Sequence, residues 1–253
     1  MKLVAFDLDD TLAPSKSPLP PLMDQRLQSL LDHVPVCIIS GGQIGQFRAQ
    51  VLSQLHASDR QLSRLHLMPT CGTRYYRYED GQWAMKYAHD LDPQVRDRAI
   101  ASLERRAKEL GLWEEDTWGP IIEDRGSQIT YSALGQEAPL DAKRAWDPDG
   151  AKKALLRDAV APDVPELDVR GGGSTSIDIT TRGIDKAYGM GKLVEATGIA
   201  PQDMLFIGDR LDAEGNDYPV KALGVPCRAV TGWEDTVGYV TALAARIAGS
   251  RQV

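Results

Sequence analysis

The sequence predicts an α/β protein: a doubly wound parallel sheet interrupted by a second, α+β unit. Three observations carry that prediction. Short apolar runs alternate with helical stripes at the start of the chain, hairpin patterns replace them through the middle, and the alternation resumes near Lys186.

Residues 2–8 are apolar and end in acids, as a buried parallel strand does. Pro14, Pro18, Pro20 and Pro21 then forbid regular structure and mark a loop. Met23, Leu27, Leu30, Leu31 and Val34 recur at helical spacing and predict an amphipathic helix. Residues 36–39 form a second apolar strand, broken at Ser40-Gly41-Gly42. Ile44, Phe47, Val51, Leu52 and Leu55 predict the next helix, and residues 65–68 a third strand.

The pattern then changes. Residues 75–78, a Glu79-Asp80-Gly81 turn and residues 82–87 read as an antiparallel hairpin. Pro93 opens a long helix marked by Val95, Ile100, Leu103, Ala107 and Leu110. A second hairpin turns at Arg125-Gly126 between residues 121–122 and 129–133, and a helix follows near 149–160. Val169 and residues 174–180 pair around Gly171-Gly172-Gly173. Hairpins around helices indicate an α+β module distinct from the parallel sheet. The parallel pattern returns with a helix from Lys186 and strands at 204–207 and 225–230. The expected organisation is a core of residues 1–86 and 185–253 with an inserted α+β cap at 87–184.

Composition bounds the function. A chain of 253 residues can form one and a half to two domains and bury a real core. Its 42% hydrophobic and 26% charged residues are ordinary for a soluble globular protein. A net charge of −7 argues against nucleic acid or an anionic membrane as partner. Any anionic ligand must therefore be met by a local cationic pocket or a metal. Cys37, Cys71 and Cys227 lie far apart, with neither metal-ligand spacing nor an even disulfide set, which reads as three reduced thiols in the cytoplasm. The first apolar run is too short for a signal peptide. No stretch approaches the roughly 18 apolar residues of a membrane span.

Four pieces of sequence carry chemistry. Asp7-Leu8-Asp9-Asp10-Thr11 sits at the C-terminal end of the first strand, where open α/β sheets bind ligands. Two carboxylates a few ångströms apart repel by roughly 4 kcal/mol at an effective dielectric of about 20, and a divalent cation relieves that repulsion. Ser40 opens onto Gly41-Gly42, and a hydroxyl with free backbone N–H groups suits a phosphate oxygen. Lys186 begins the helix after the insertion, against the helix dipole. The run from Gly208 to Asp217 follows a buried strand and is dense in the oxygen ligands that Mg²⁺ takes. Each piece alone also fits a plain structural role: an acidic turn, an N-cap serine, a surface lysine, a polar loop. All four falling in order at the ends of successive core strands, or on the helix beside them, do not.

The order Asp7-x-Asp9-x-Thr11, Ser40, Lys186, Gly208-Asp209…Asn216-Asp217 resembles the haloacid dehalogenase superfamily. The insertion between Ser40 and Lys186 resembles the branch with a large α/β cap of the second type, subfamily IIB. Within it the chain looks most like eukaryotic-type phosphomannomutases, over nearly its whole length. That likeness includes Pro120-Ile121-Ile122-Glu123-Asp124-Arg125, Gly172-Gly173, Ser176-Ile177-Asp178, Asp185-Lys186 and Glu234-Asp235-Thr236. The resemblance implies that Asp7 is the nucleophile and a metal ligand. It implies that Asp9 is the general acid/base, with its backbone carbonyl on the metal. Thr11, Ser40 and Gly41 would bind the transferring phosphoryl group and Lys186 would neutralise it. Asp209 would complete a Mg²⁺ site, with Asp217 as a ligand directly or through water, supported by Asn216.

Physical chemistry fits those roles. A carboxylate is a weak nucleophile, and a metal and a lysine cancel its repulsion from a phosphate. Asp9 can protonate the leaving oxygen and then deprotonate the attacking hydroxyl. Phosphate-monoester hydrolysis can require enhancements near ~10²¹, so cap enclosure of the substrate should contribute orientation and exclude water.

The cap bears on the substrate. Alternation along 174–180 puts Ser174, Ser176, Asp178 and Thr180 on one face, a polar surface suited to sugar hydroxyls. Arg125 matches a phosphate-binding arginine of the mutases, and a bidentate guanidinium suits the second phosphate of a bisphosphate. The chain departs from the mutases at Ser132-Ala133-Leu134-Gly135-Gln136, where Gln136 stands in place of a further arginine. Asp10 also replaces the glycine of the first motif. The sequence therefore favours a phosphatase acting on a small phosphorylated metabolite, a sugar phosphate, with a hexose phosphate mutase as the alternative. Caps of this type also carry homodimer contacts in some members. A phosphorylation-receiver domain, the non-enzymatic alternative, would place its acceptor aspartate on the third strand and lack the insertion.

Overall fold

The computed structural model describes residues 1–249. It divides into two compact units: Met1–Ala88 together with the residues from Ile184 onward, and His89–Gly183. The first unit holds strands β1 (Leu3–Phe6), β2 (Val36–Ile39), β3 (Leu65–Met68), β4 (Arg74–Glu79) and β5 (Gln82–Ala88). The second holds β6 (Ile122–Asp124), β7 (Gln128–Ser132), β8 (Leu167–Gly171) and β9 (Ser176–Thr181). The chain then returns to the first unit with β10 (Met204–Gly208) and β11 (Cys227–Ala229).

In the first unit the strand order is β11-β10-β1-β2-β3-β4-β5. The five strands from β11 to β3 run parallel, and β4 and β5 are antiparallel. The alternation of the apolar runs decides which helices cover which face. Val4, Phe6, Val36 and Ile38 pack with Met23, Leu27 and Leu30 of helix Pro21–Leu31 and with Val240 and Leu243 of helix Trp233–Gly249. Leu3, Ala5, Cys37 and Ile39 face the other way, onto Met190 and Leu193 of helix Lys186–Thr197. A strand apolar on both sides needs two such layers.

The Tyr75–Tyr87 hairpin, which the expected boundary at residue 86 leaves with the core, extends the main sheet: β4 pairs with β3 through Leu67↔Tyr76. Tyr75 and Tyr76 are both buried and join the two apolar layers on opposite faces, so tertiary packing fixes the hairpin there. One element differs from the sequence expectation: the stripe from Ile44 to Leu55 is not one α-helix. A short α-helix, Ile44–Phe47, widens into a π-turn at Arg48–Leu52.

The second unit is an antiparallel sheet of order β6-β7-β9-β8. Ile129, Tyr131, Ile177 and Ile179 point to one face and pack on Ala99, Leu103 and Ala107 of helix Pro93–Glu109 and Leu156 and Val160 of helix Ala151–Val160. Asp92 caps the first of these helices by accepting from the backbone N–H groups of Gln94 and Val95. Among the described residues no helix is long and apolar enough to cross a membrane.

Candidate active site

Register brings the chemistry together. Phe6 lies level with Ile38 of β2 and Ile207 of β10, so Asp7, Ser40 and Asp209 all leave the sheet at its C-terminal edge. Asp7 continues the pairing through its N–H to the Ile207 carbonyl at 3.0 Å. Lys186 sits in the first turn of its helix, which Asp185 caps by accepting from Tyr188 N at 3.0 Å. Its Nζ lies 2.6 Å from Asp7 Oδ1 and 2.5 Å from Asp217 Oδ1. Asp217 Oδ2 accepts from Arg210 N at 3.1 Å, which closes the loop between β10 and the acid. The Thr11 hydroxyl and the backbone of Asp209 are mutually tied: Thr11 Oγ1 donates to Asp209 Oδ1 at 3.2 Å and accepts from Asp209 N at 3.1 Å.

One carboxylate oxygen from each of Asp7, Asp209 and Asp217 lies within 4.8 Å of the others. Asp7, Asp217 and Lys186 are 5%, 0% and 1% exposed, so this charge is held out of water. Burial pushes the Asp7 carboxyl up to about 7; Lys186 pulls it down and Asp217 pushes it up again. Burial likewise raises Asp209, with Asp217 adding to it and the Thr11 hydroxyl opposing. Burial alone would depress the Lys186 ammonium, but Asp7 and Asp217 outweigh it and hold it above the ordinary lysine value. Three carboxylates share one ammonium, so full ionisation would leave two negative charges uncompensated. An all-oxygen donor set with that deficit fits a hard divalent cation.

Close packing sets these positions. A Cβ on Gly208 would fall 2.2 Å from Asp217 Oδ2, so only glycine lets that carboxylate reach the strand end. A Cβ on Gly189, one turn into the Lys186 helix, would meet Ile39 Cδ1 at 2.4 Å and the Cys71 carbonyl oxygen at 2.6 Å. The Thr70-Cys71-Gly72 turn that receives this helix has φ of 47°, 53° and 81°, a left-handed run costly for the first two residues. The same turn clamps the Ser40-Gly41-Gly42 turn: Cys71 N donates to the Ser40 carbonyl at 2.9 Å and Thr70 N to that of Gly42 at 2.9 Å. Ser40 Oγ accepts from Gly42 N at 3.2 Å. A Cβ on Gly41 would meet nothing within 4 Å, and Asn216 is exposed beside the buried Asp217.

The Asp9 carboxylate stands outside the three-acid cluster. It accepts from Lys16 N, Gln46 Nε2 and Gln50 Nε2. Sequence reasoning missed both glutamines. Their four-residue spacing on a helical segment after Gly42 was the available signal.

In the second unit, Gln128, Thr130 and Ser132 of β7 lie opposite Thr180, Asp178 and Ser176 of β9. Asp178 Oδ1 accepts from Gln128 Nε2 at 2.8 Å and Thr130 Oγ1 at 2.7 Å. The Ser132 and Ser176 hydroxyls are 3.2 Å apart, and Gln136 Nε2 donates to Ser132 Oγ at 2.6 Å. Arg125 pairs with Glu123 Oε2, through Nη2 at 2.6 Å and Nε at 3.2 Å. Ser174 falls in the turn before β9 and not on the strand, so the alternation starts at Ser176. The β7 partners went unread, although Gln128-Ile129-Thr130-Tyr131-Ser132 alternates polar and apolar.

No protein-family profile matches the chain. It is similar to phosphomannomutases of Saccharomyces cerevisiae, 24% identical over 95% of this chain and 93% of that protein, and of Encephalitozoon cuniculi, 22% identical over 85% and 82%. Its fold is shared with a haloacid dehalogenase-like hydrolase from Bacteroides thetaiotaomicron, with TM-score 0.65 and 16% identity over 96% of this chain and 99% of that one. It is shared too with an IMP-bound IMP-nucleotidase of Plasmodium falciparum, with TM-score 0.68 and 13% identity over 98% and 67%. The sequence relatives and the shared fold together support the haloacid dehalogenase superfamily, and with it an enzyme acting on phosphate esters.

Proposed function

We propose that the chain is a Mg²⁺-dependent phosphatase acting on a small phosphorylated metabolite, a sugar phosphate, through an aspartyl-phosphate on Asp7. The observation that carries this reading is the buried Asp7 carboxylate, ion-paired to Lys186 beside Asp209 and Asp217. In this reading Asp7 attacks the phosphorus, and Lys186 neutralises the two anions that must meet. Thr11, Ser40, Gly41 and Asn216 orient the phosphoryl oxygens. Asp9 protonates the departing oxygen and then takes the proton of the attacking water. The carboxylates of Asp7, Asp209 and Asp217 and the backbone carbonyl of Asp9 would hold the cation. Bound there, it would supply Lewis-acid neutralisation of the phosphate charge.

We assign His89–Gly183 to a cap of the second type and the rest of the chain to the catalytic core. Arg125, Ser176 and Asp178 are the cap groups assigned to the substrate beyond its reacting phosphate. Dimerisation through the cap and a reducing cytoplasmic setting, which suits three separate thiols, belong to the same reading.

A mutase is the second reading, favoured by the phosphomannomutases among the sequence relatives. Arg125 would then hold a second phosphate. Against it, Gln136 replaces a mutase arginine and its amide is bonded to Ser132. The test is an assay with Mg²⁺ and mannose 1-phosphate, with and without a hexose 1,6-bisphosphate. Free phosphate as the main product supports the phosphatase. Bisphosphate-dependent mannose 6-phosphate supports the mutase and overturns the first reading.

A further inference from the structure

Three donors from two segments converge on Asp9. Gln46 Nε2 donates to Oδ2 at 2.8 Å, while Gln50 Nε2 and Lys16 N reach Oδ1 at 3.3 and 2.7 Å. The glutamines are four residues apart and so share one side of the helical segment, which loosens into the π-turn between them. One amide therefore meets each carboxylate oxygen.

Each donor is itself constrained. The Gln46 side chain fills the space that a Cβ on Gly42 would take, with Oε1 only 2.0 Å from that position. Gly42 is thus needed for this side chain, whatever its neighbour Gly41 does for a phosphate. Gln50 is 4% exposed and gives a second hydrogen bond to the Ser17 carbonyl at 2.9 Å. Its Oε1 is buried without a hydrogen-bond partner, which costs stability. Lys16 turns its N–H inward with a left-handed φ of 54°. Strain, an excluded Cβ and an unsatisfied carbonyl all spent on one carboxylate point to a need for its orientation.

We propose that Gln46 and Gln50 are positioning residues for Asp9: they hold its carboxylate so that a lone pair on an oxygen faces the oxygen to which the proton moves. The proposal rests on the reading of Asp9 as the acid/base. In the first step the Asp7 oxygen–phosphorus bond forms, the ester P–O bond breaks and the Asp9 proton goes to the departing oxygen. In the second, water oxygen attacks phosphorus, its proton returns to Asp9 and the Asp7–phosphorus bond breaks.

The test compares kcat/KM for two esters of similar size, phenyl phosphate and 4-nitrophenyl phosphate, with Mg²⁺. Phenolate leaves poorly without a proton, and 4-nitrophenolate leaves without one. Gln46→Met and Gln50→Met keep the side-chain volume and remove the donors. Each should lower kcat/KM for phenyl phosphate by on the order of 10- to 100-fold and for 4-nitrophenyl phosphate by no more than about 3-fold. The ratio of the two values does not depend on how much of a variant folds. Equal losses on both esters, or none on either, overturn the proposal. Asp9→Asn separates the two levels. If it discriminates between the esters while the methionine variants do not, the positioning role fails and the acid/base reading stands. If it fails to slow phenyl phosphate, the acid/base reading falls and the positioning proposal falls with it.

Discussion

The two units treat polar side chains in opposite ways. The first gathers the buried Asp7, Asp217 and Lys186 beside a partly buried Asp209 and leaves them short of positive charge. The second spreads its polar groups along a sheet face and satisfies them locally. Asp178 takes two neutral donors, Ser132 and Ser176 pair, and Arg125 lies on Glu123. An unbalanced buried cluster of carboxylates creates a demand for positive charge that a cation meets. A balanced face exchanges one set of hydrogen bonds for another. The first arrangement suits driving a reaction, and the second suits tuning recognition.

The largest effect that could break this comparison is on turnover. Asp7→Asn should lower kcat on the order of 10⁴-fold or more, whereas Asp178→Asn should change kcat/KM by about 10-fold, chiefly through KM. Comparable losses in kcat for both would erase the distinction. Next comes Lys186→Met, which strips the counter-charge from two buried carboxylates. We expect a destabilisation of about 3–5 kcal/mol by urea unfolding in Mg²⁺-free buffer.

The cation should repair the same deficit. At 100-fold its Kd, Mg²⁺ should add about 2.7 kcal/mol of stability, read as a rise in the unfolding midpoint, and chelation should abolish turnover. Asp209→Asn and Asp217→Asn should shrink that rise, and Asp178→Asn should leave it intact. A smaller effect tests the packing that supports the cluster. Gly189→Ala inserts a methyl against Ile39 and Cys71, and should cost about 1–3 kcal/mol and displace Lys186 enough to slow turnover.

The smallest effect is a control within the first unit. His66 is buried, bonded to Tyr75 through Nδ1 at 2.7 Å, and faces the Arg77 guanidinium at Nε2. Burial first and Arg77 second push it down from 6.5 to about 3. The unfolded chain therefore takes up the proton first. Stability from this group is full above pH 6.5 and is lost as pH falls towards about 3. The slope reaches at most about 1.4 kcal/mol per pH unit. His66→Phe should flatten that part of the profile between about pH 4.5 and pH 6.5 in denaturant titrations. An unchanged slope would assign the acid sensitivity elsewhere.

Much of the first unit was legible because a parallel strand buried on both faces leaves a continuous apolar run. β2 and β3 fall where the pattern put them, and β1 and β10 differ by a few residues at most. The acids that follow those runs were visible for the same reason. The hairpin from Tyr75 was legible as a hairpin but its partner was not, because alternation tells a strand's faces and not its neighbour, which here is β3. The π-turn was invisible because its apolar spacing matches that of an ordinary helix to within one residue.

The sequence by itself determined the layered α/β architecture and the order of Asp7, Ser40, Lys186, Asp209 and Asp217 at strand ends or on the helix and loop beside them. Period and chain position are local properties, and one chain displays them. Tertiary structure alone decided that Lys186 bridges Asp7 and Asp217, that Gly208 and Gly189 must lack side chains, and that two glutamines hold Asp9. Those facts are distances between residues far apart in the chain, 179 positions for Lys186 and Asp7 and 41 for Asp9 and Gln50. Such distances exist only once the sheet sets its register and the helices settle on its faces.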